Sequence, residues 1–387
     1  MTETTEQITS GTRRQHWRAV ASMFALNGAL FGVWASRIPA IKDLHSLSHS
    51  QLGGLLLLLA AGAIVAFPVA GWLSDRRGAA QVTRILGVLN ALALFTLAVA
   101  PGPVTLGLVL LAFGAFHGAM DVTMNGWAAE VERWAKRPQM STYHAMWSLG
   151  AGVGAGTGYL AITFGFGLFM HFLIAGGGLL FVALLFSQDG WVSPVNSNAR
   201  ESVFSLPKGV LILVGLLAMC ASMGEGAMAD WSAIYMRDEI GVRPEWAPIG
   251  FAIFSAAMVL TRLSGGWLTR LAPPHQVARV CGLIGSGGMA LAILSSSIWG
   301  TLVGFVLFGI GLALIFPLAF SRAANDPDTP QGQALAGVAT LGYGGILLGP
   351  PVMGFIASAT SLTVSFAVLA AMALMITVLA GALKVPD

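Results

Sequence analysis

The sequence predicts an all-α integral membrane protein of twelve transmembrane helices, arranged as two six-helix bundles related by a parallel repeat. Three observations predict it. Hydrophobic residues make up 56% of the 387 residues and charged ones only 10%, against about 25% charged in an ordinary soluble domain, and the mean hydropathy is +0.78. Apolar stretches of membrane-spanning length recur from one end to the other, so lipid is the solvent that most side chains meet. Finally, AGWLSDRRGAAQVTR at 70–84 and GGWLTRLAPPHQVAR at 265–279 share Gly71/Gly266, Trp72/Trp267, Leu73/Leu268, Gln81/Gln276, Val82/Val277 and Arg84/Arg279 at a constant offset of 195, close to half the chain. Self-similarity at a fixed offset marks a duplicated structural unit.

The first span, 17–39, follows the basic residues Arg13, Arg14 and Arg18 and contains Asn27. It is too long for a signal-peptide core and lacks a small-residue cleavage site, so it reads as an uncleaved helix. Spans 2 to 6 run over 50–73, 82–100, 104–128, 139–163 and 166–187. The next stretch, QDGWVSPVNSNARESVFSLP at 188–207, is polar and interrupted by Pro194 and Pro207, which makes it a linker. Spans 7 to 12 run over 208–236, 246–269, 278–297, 299–321, 333–358 and 361–383. The chain thus divides into a tail (1–16), an N-terminal bundle (17–187), the linker and a C-terminal bundle (208–387).

With the N-terminus inside, 15 of the 20 Lys and Arg fall in or beside cytoplasmic segments. Arg37, Lys42, Arg237 and Arg243 fall outside, and Arg262 falls within a span. The positive-inside rule then places both termini in the cytoplasm. The pI of 9.1 reports this topology and not a nucleic-acid partner, because the positive charges are scattered between spans. Cys220 and Cys281 lie inside spans and read as buried, inert thiols. No nucleophile sits with a base and no H-E-x-x-H metal spacing occurs, so enzyme classes are excluded and neither metal nor cofactor is expected.

The segment Gly71-Trp72-Leu73-Ser74-Asp75-Arg76-Arg77-Gly78 resembles the loop 2–3 signature of the major facilitator superfamily, roughly G-x-L-x-D-R-x-G-R-R. A glycine there permits close helix approach, the aspartate caps or pairs near helix ends, and the arginines hold the turn on the cytoplasmic side. Ala79 and Ala80 stand where the family has its last basic pair, and Arg270 occupies the second-copy position of Asp75. The latch that the motif implies is therefore asymmetric, with Gly71, Asp75, Arg76, Arg77 and Gly78 in one half and Gly266 and Arg262 in the other. The span 4 segment Asp121-Val122-Thr123-Met124-Asn125 is similar to the acid-x-x-x-Asn pattern of the fucose-permease-related branch and its bacterial inner-membrane relatives. That resemblance implies a monomeric secondary transporter of a bacterial inner membrane, powered by a proton gradient, with Asp121 as the protonatable carboxylate. The acidic residue that this branch carries in span 1 has no counterpart here.

Ionisable groups near the bilayer centre cost about 2.5–3.5 kcal/mol on insertion scales, so each needs a partner, a wet cavity or a neutral state. His117 and Asp121 lie four apart, about 40° around a helix, and share a face on which they can exchange a proton or simply satisfy each other. Asn125 extends that stripe by a turn. In span 7, Glu225 is a second proton-site candidate, and Asp230, about 140° away, is expected at the outer end, where it caps or pairs with Arg37. Asn27 either binds solute or bridges helices. Trp34, Trp147, Trp231 and Tyr343 are candidates to stack on a sugar ring, with interface anchoring as the plainer role. Arg262 reads as a structural clamp near the inner surface. The glycines of span 5 (Gly150 to Gly158) and of span 11 around Pro350-Pro351 are close-crossing and kink sites, not phosphate cradles. The expectation is proton-coupled symport of a small polar, sugar-like solute by alternating access. The competing expectation is proton-antiport export of drugs or metabolites, for which the many Met and Phe side chains leave room.

Overall fold

In the computed structural model, residues 11–137, 139–195, 207–329 and 331–384 are described, the side chains of residues 141, 331–333 and 336 excepted. Within them the regular structure is helical: α1 (Arg13–Leu44), α2 (His49–Arg77), α3 (Ala79–Leu97), α4 (Pro103–Ala135), α5 (Met140–Thr163), α6 (Leu168–His171), α7 (Gly177–Phe186), α8 (Val210–Asp238), α9 (Ile249–Leu271), α10 (Pro274–Leu294), α11 (Ile298–Leu312), α12 (Ile315–Ala324), α13 (Gln331–Ala359) and α14 (Leu362–Leu379). Among the described residues, eleven helical stretches are long and apolar enough to cross a membrane. The stretch at the fifth expected span, α5, is 24 residues long but is not one of them, being rich in glycine and hydroxyl side chains.

Two spans expected as continuous are interrupted. Between α6 and α7 the chain makes a π-helical turn, Phe172–Gly176. It leads into three consecutive glycines, 176 to 178, which lack the side chains that hold a regular turn. Between α11 and α12 the helix breaks at Ala313 and Leu314. Pro317 has no N–H to give the carbonyl four residues back, so the hydrogen bond to Ala313 is missing there.

Contacts divide the chain into two compact units: Met1–Trp34, Leu58–Thr157 and Gly165–Glu201 form one, and Ala35–Leu57, Gly158–Phe164 and Ser202–Asp387 form the other. In the first unit, α1 and α5 cross at a seam of small residues. A Cβ at Gly28 would run into the carbonyl of Trp147, and one at Gly150 into that of Ala25. Such backbone proximity needs glycine, and it is the usual way for helices to associate where lipid supplies no hydrophobic drive. In the second unit, α8 packs along α13, and α10 packs along α11 and α14. At one end of this unit lies a charged cluster. Arg237 meets Asp43 and Asp238, each at 2.6 Å, and Lys42 and His49 lie 3.3 and 3.8 Å from Asp238.

Candidate functional site

In the first unit the polar side chains gather around α4. Asn27 of α1 is fully buried. Its Oδ1 accepts from Trp147 Nε1 of α5 at 2.8 Å, and its Nδ2 donates to the His117 carbonyl of α4 at 3.2 Å. The amide therefore bridges three helices. The His117 ring packs against Phe31 and Phe113, with its Nδ1 3.5 Å from Asn90 Nδ2 of α3. One turn along α4, Asp121 is half-buried, and Asn125 Nδ2 donates to its carboxylate at 3.3 Å and to its carbonyl at 2.9 Å. The structure thus joins Asn27, His117 and Trp147, and pairs Asp121 with Asn125. Trp34 is fully buried against Phe113. Asn90, buried in α3, is a member that sequence reasoning missed, and its signal was an amide inside the apolar run LGVLNALAL.

The gating motif also lies in the first unit. Gly78, at φ +83°, makes the turn from α2 into α3 and has no side chain with which to cap α3. Ser193 takes that role from a distance, accepting from the Ala80 N–H at 3.0 Å. It belongs to an irregular segment in which Ser187, Asp189, Trp191 and Ser193 are buried in alternation. Arg84, one of the repeated residues, donates to the Ser187 carbonyl and to Asp189 Oδ1, and His16 holds Asp189 Oδ2 at 2.9 Å. The first part of the expected linker is therefore a strap docked on this unit, while residues 196–206 lie outside the described residues. Asp75 and Gly71 are half-buried, Arg77 is exposed, and Arg76 stacks over Trp72 at 4.5 Å.

In the second unit, Glu225 of α8 and Arg262 of α9 form an ion pair, Oε2 to Nη2 at 3.0 Å. Sequence reasoning placed Arg262 as a clamp beside Gly266, and the pairing was missed because the partners lie on different helices. Arg262 Nε also donates to the Ala313 carbonyl at 3.3 Å, the acceptor orphaned by Pro317. Gly266 is exposed and its carbonyl accepts from Arg270 Nε at 3.1 Å. Asp230 and Arg37 are both buried. Trp231 is fully buried, with its indole N–H on the Pro350 carbonyl at 2.8 Å. Tyr343 meets Phe316 edge-on.

Long apolar helices carrying a few buried, paired ionisable groups define a multi-pass membrane protein. Residues 19–329 match the family described as Major Facilitator Superfamily, and the chain belongs to that superfamily. It is a transporter and not an enzyme. It is 41% identical to an uncharacterized transporter of Sinorhizobium fredii, over 95% of this chain and 98% of that one. It is 33% identical to an uncharacterized MFS-type transporter of Yersinia pestis (93% of each) and 32% identical to the membrane protein MosC of Rhizobium meliloti (89% and 84%). Among solved structures, the nucleoside transporter NupG superposes with a TM-score of 0.71 at 16% identity, over 95% of this chain and 98% of that one. An inward-facing bacterial homolog of the lysosomal transporter Spinster superposes with a TM-score of 0.66 at 16% identity, over 95% of both. These likenesses show the fold.

Proposed function

We propose that the protein is a proton-coupled symporter of a small polar solute of the sugar or nucleoside class. It works as a monomer in a bacterial inner membrane, with both termini cytoplasmic. Two six-helix halves, 17–187 and 208–387, rock about a site near the bilayer midplane and open it to each side in turn. The observation that carries this reading is Asp121. It is a half-buried carboxylate within an apolar helix, one turn from His117, with Asn125 on its oxygen. A carboxylate there can take a proton from one side and give it up on the other, and its charge state biases which conformation is favoured. Asn125 and His117 lie on the same face of α4, which supports their meeting a polar solute beside it.

The test uses purified protein in proteoliposomes with an imposed pH gradient, assayed with labelled fucose, glucose and uridine. Wild-type protein is expected to concentrate at least one of them. Asp121→Asn is expected to abolish that accumulation while leaving counterflow, which needs no proton. Undiminished uphill uptake by the variant would refute the assignment.

A further inference from the structure

From the middle of α8 almost to its end, every residue from Cys220 to Met236 is buried except Glu225. The one point of access on that stretch is thus a carboxylate, and it is paired with Arg262, whose side chain is 7% exposed. Arg262 is fixed from its other side by the Ala313 carbonyl, which is available because Pro317 breaks the helix there. Interrupted helices at membrane depth are tolerated where the freed backbone lines a site or is buried in protein. An arginine at such a break offers a rigid fork of donors suited to a carboxylate.

We propose that Glu225, Arg262 and the Ala313 carbonyl form an acid-recognition site, at which the carboxylate of a transported solute replaces a protonated Glu225 as the partner of Arg262. The proposal rests on the symport reading above and adds acidic members of that solute class, sugar acids and related small hydroxy acids, to the neutral solutes it accepts. The charge balance is simple. With Glu225 ionised the pair is neutral, and a solute anion would bring in an unpaired negative charge. Once a proton from water sits on Glu225, the site is positive, and the incoming carboxylate neutralises it. At this site one proton and one anion therefore enter together, in addition to the proton carried on Asp121. Among the described residues, α11, α13 and α14, which pack on α8, carry no Asp, Glu, Lys, Arg or His. Arg322 of α12 is paired with Asp326, Arg270 of α9 donates to the Gly266 carbonyl, Asp230 lies further along α8, Arg37 is buried in α1, and Lys42, Asp43, His49, Arg237 and Asp238 belong to the far end of α8.

Titration of purified full-length protein with glucuronate, gluconate and lactate, with glucose as the neutral control, tests the site at pH 5.5 and 7.5. Wild-type protein is expected to bind at least one acid about tenfold to a hundredfold more tightly at the lower pH, because uptake of one proton per anion changes affinity by up to about tenfold per pH unit. Glu225→Gln, which mimics the protonated state, should bind that acid tightly at both pH values. Arg262→Gln should lose about tenfold or more in acid affinity while glucose is unaffected. If Arg262→Gln does not fold, Arg262→Lys keeps the charge without the fork and should bind the acid more weakly than wild type but still in preference to glucose. The site is overturned if no acid binds, if the pH step persists in Glu225→Gln, or if the Arg262 variants bind acids like wild type. Asp121-dependent accumulation of a neutral sugar alongside any of those results would leave the symport reading standing and remove only the acid site.

Discussion

Asn27 sits in the run FALNGALFG, and its type alone leaves open whether it meets solute or protein. The structure gives both ends of the amide to protein, Trp147 on the oxygen and the His117 carbonyl on the nitrogen. Removing the amide strands the Trp147 N–H, and an unpaired buried donor costs about 1–3 kcal/mol. Asn27→Ala should therefore lower the thermal stability of the detergent-solubilised protein. In combination with Trp147→Phe, the loss should fall short of the sum of the single losses by about 0.5–1.5 kcal/mol. Strict additivity would mean that the bond contributes nothing. The same residue shows what a sequence can disclose at this scale. That Asn27, His117, Asp121, Glu225 and Arg262 are unusual could be read directly, because each is polar within an apolar run. Except for Asp121, whose partner Asn125 lies one turn along the same helix, their partners could not, because helical spacing relates residues on one helix, while Trp147 is 120 residues from Asn27 and Arg262 is 37 from Glu225. Only tertiary packing sets those pairs.

At the level of elements, the glycines of α5 were legible as a class but not one by one. A Cβ at Gly150 would run into the carbonyl of Ala25, and one at Gly154 into that of Ala29, whereas Gly156 has nothing within 4 Å. The contact face is thus an i, i+4 row, and the glycine between its turns faces open space. Gly150→Ala should cost about 1–3 kcal/mol, because two backbones must separate to admit the methyl group. Gly156→Ala should be neutral or stabilising by up to about 1 kcal/mol, because alanine is the better helix former. Melting curves of the two variants in one detergent provide the comparison, and equal losses would contradict the seam. The break between α11 and α12 has a plain signal in Pro317, which lies inside the stretch 299–321 expected as one continuous span. What the sequence did not show is that Arg262, from another helix, would take the orphaned carbonyl. Likewise the strap at 187–193 hid within a polar linker, because its alternating burial is a property of what it docks against.

For the molecule as a whole, the repeat and the charge count forecast the superfamily fold, yet the two copies of the motif have diverged in their contacts. Arg84 anchors the strap in the first unit, while the Arg279 carbonyl accepts from Thr377 in the second. A different network, the cluster of Lys42, Asp43, His49, Arg237 and Asp238, ties the ends of α1 and α2 to the end of α8 within the second unit. If the halves rock as proposed, residues 35–57 must leave α8 when this end opens, and the network must break and re-form in each cycle. It then stabilises the state in which this end is closed. Of the Arg237 ion pairs only that with Asp43 joins two helices; a partly exposed pair contributes about 0.2–1 kcal/mol, so losing it should raise the open population by up to roughly fivefold. Spin labels at Leu44 and Arg243, both exposed, in a background with Cys220 and Cys281 replaced, report the separation by pulsed EPR. Wild-type protein should give mainly the short distance, and Arg237→Asp should add a long component. Adding Asp43→Arg to Arg237→Asp re-creates the pair with its charges exchanged and should return most of the signal to the short distance. Distances unmoved by the single reversal would show that packing of the helix ends, and not their charges, holds this side shut.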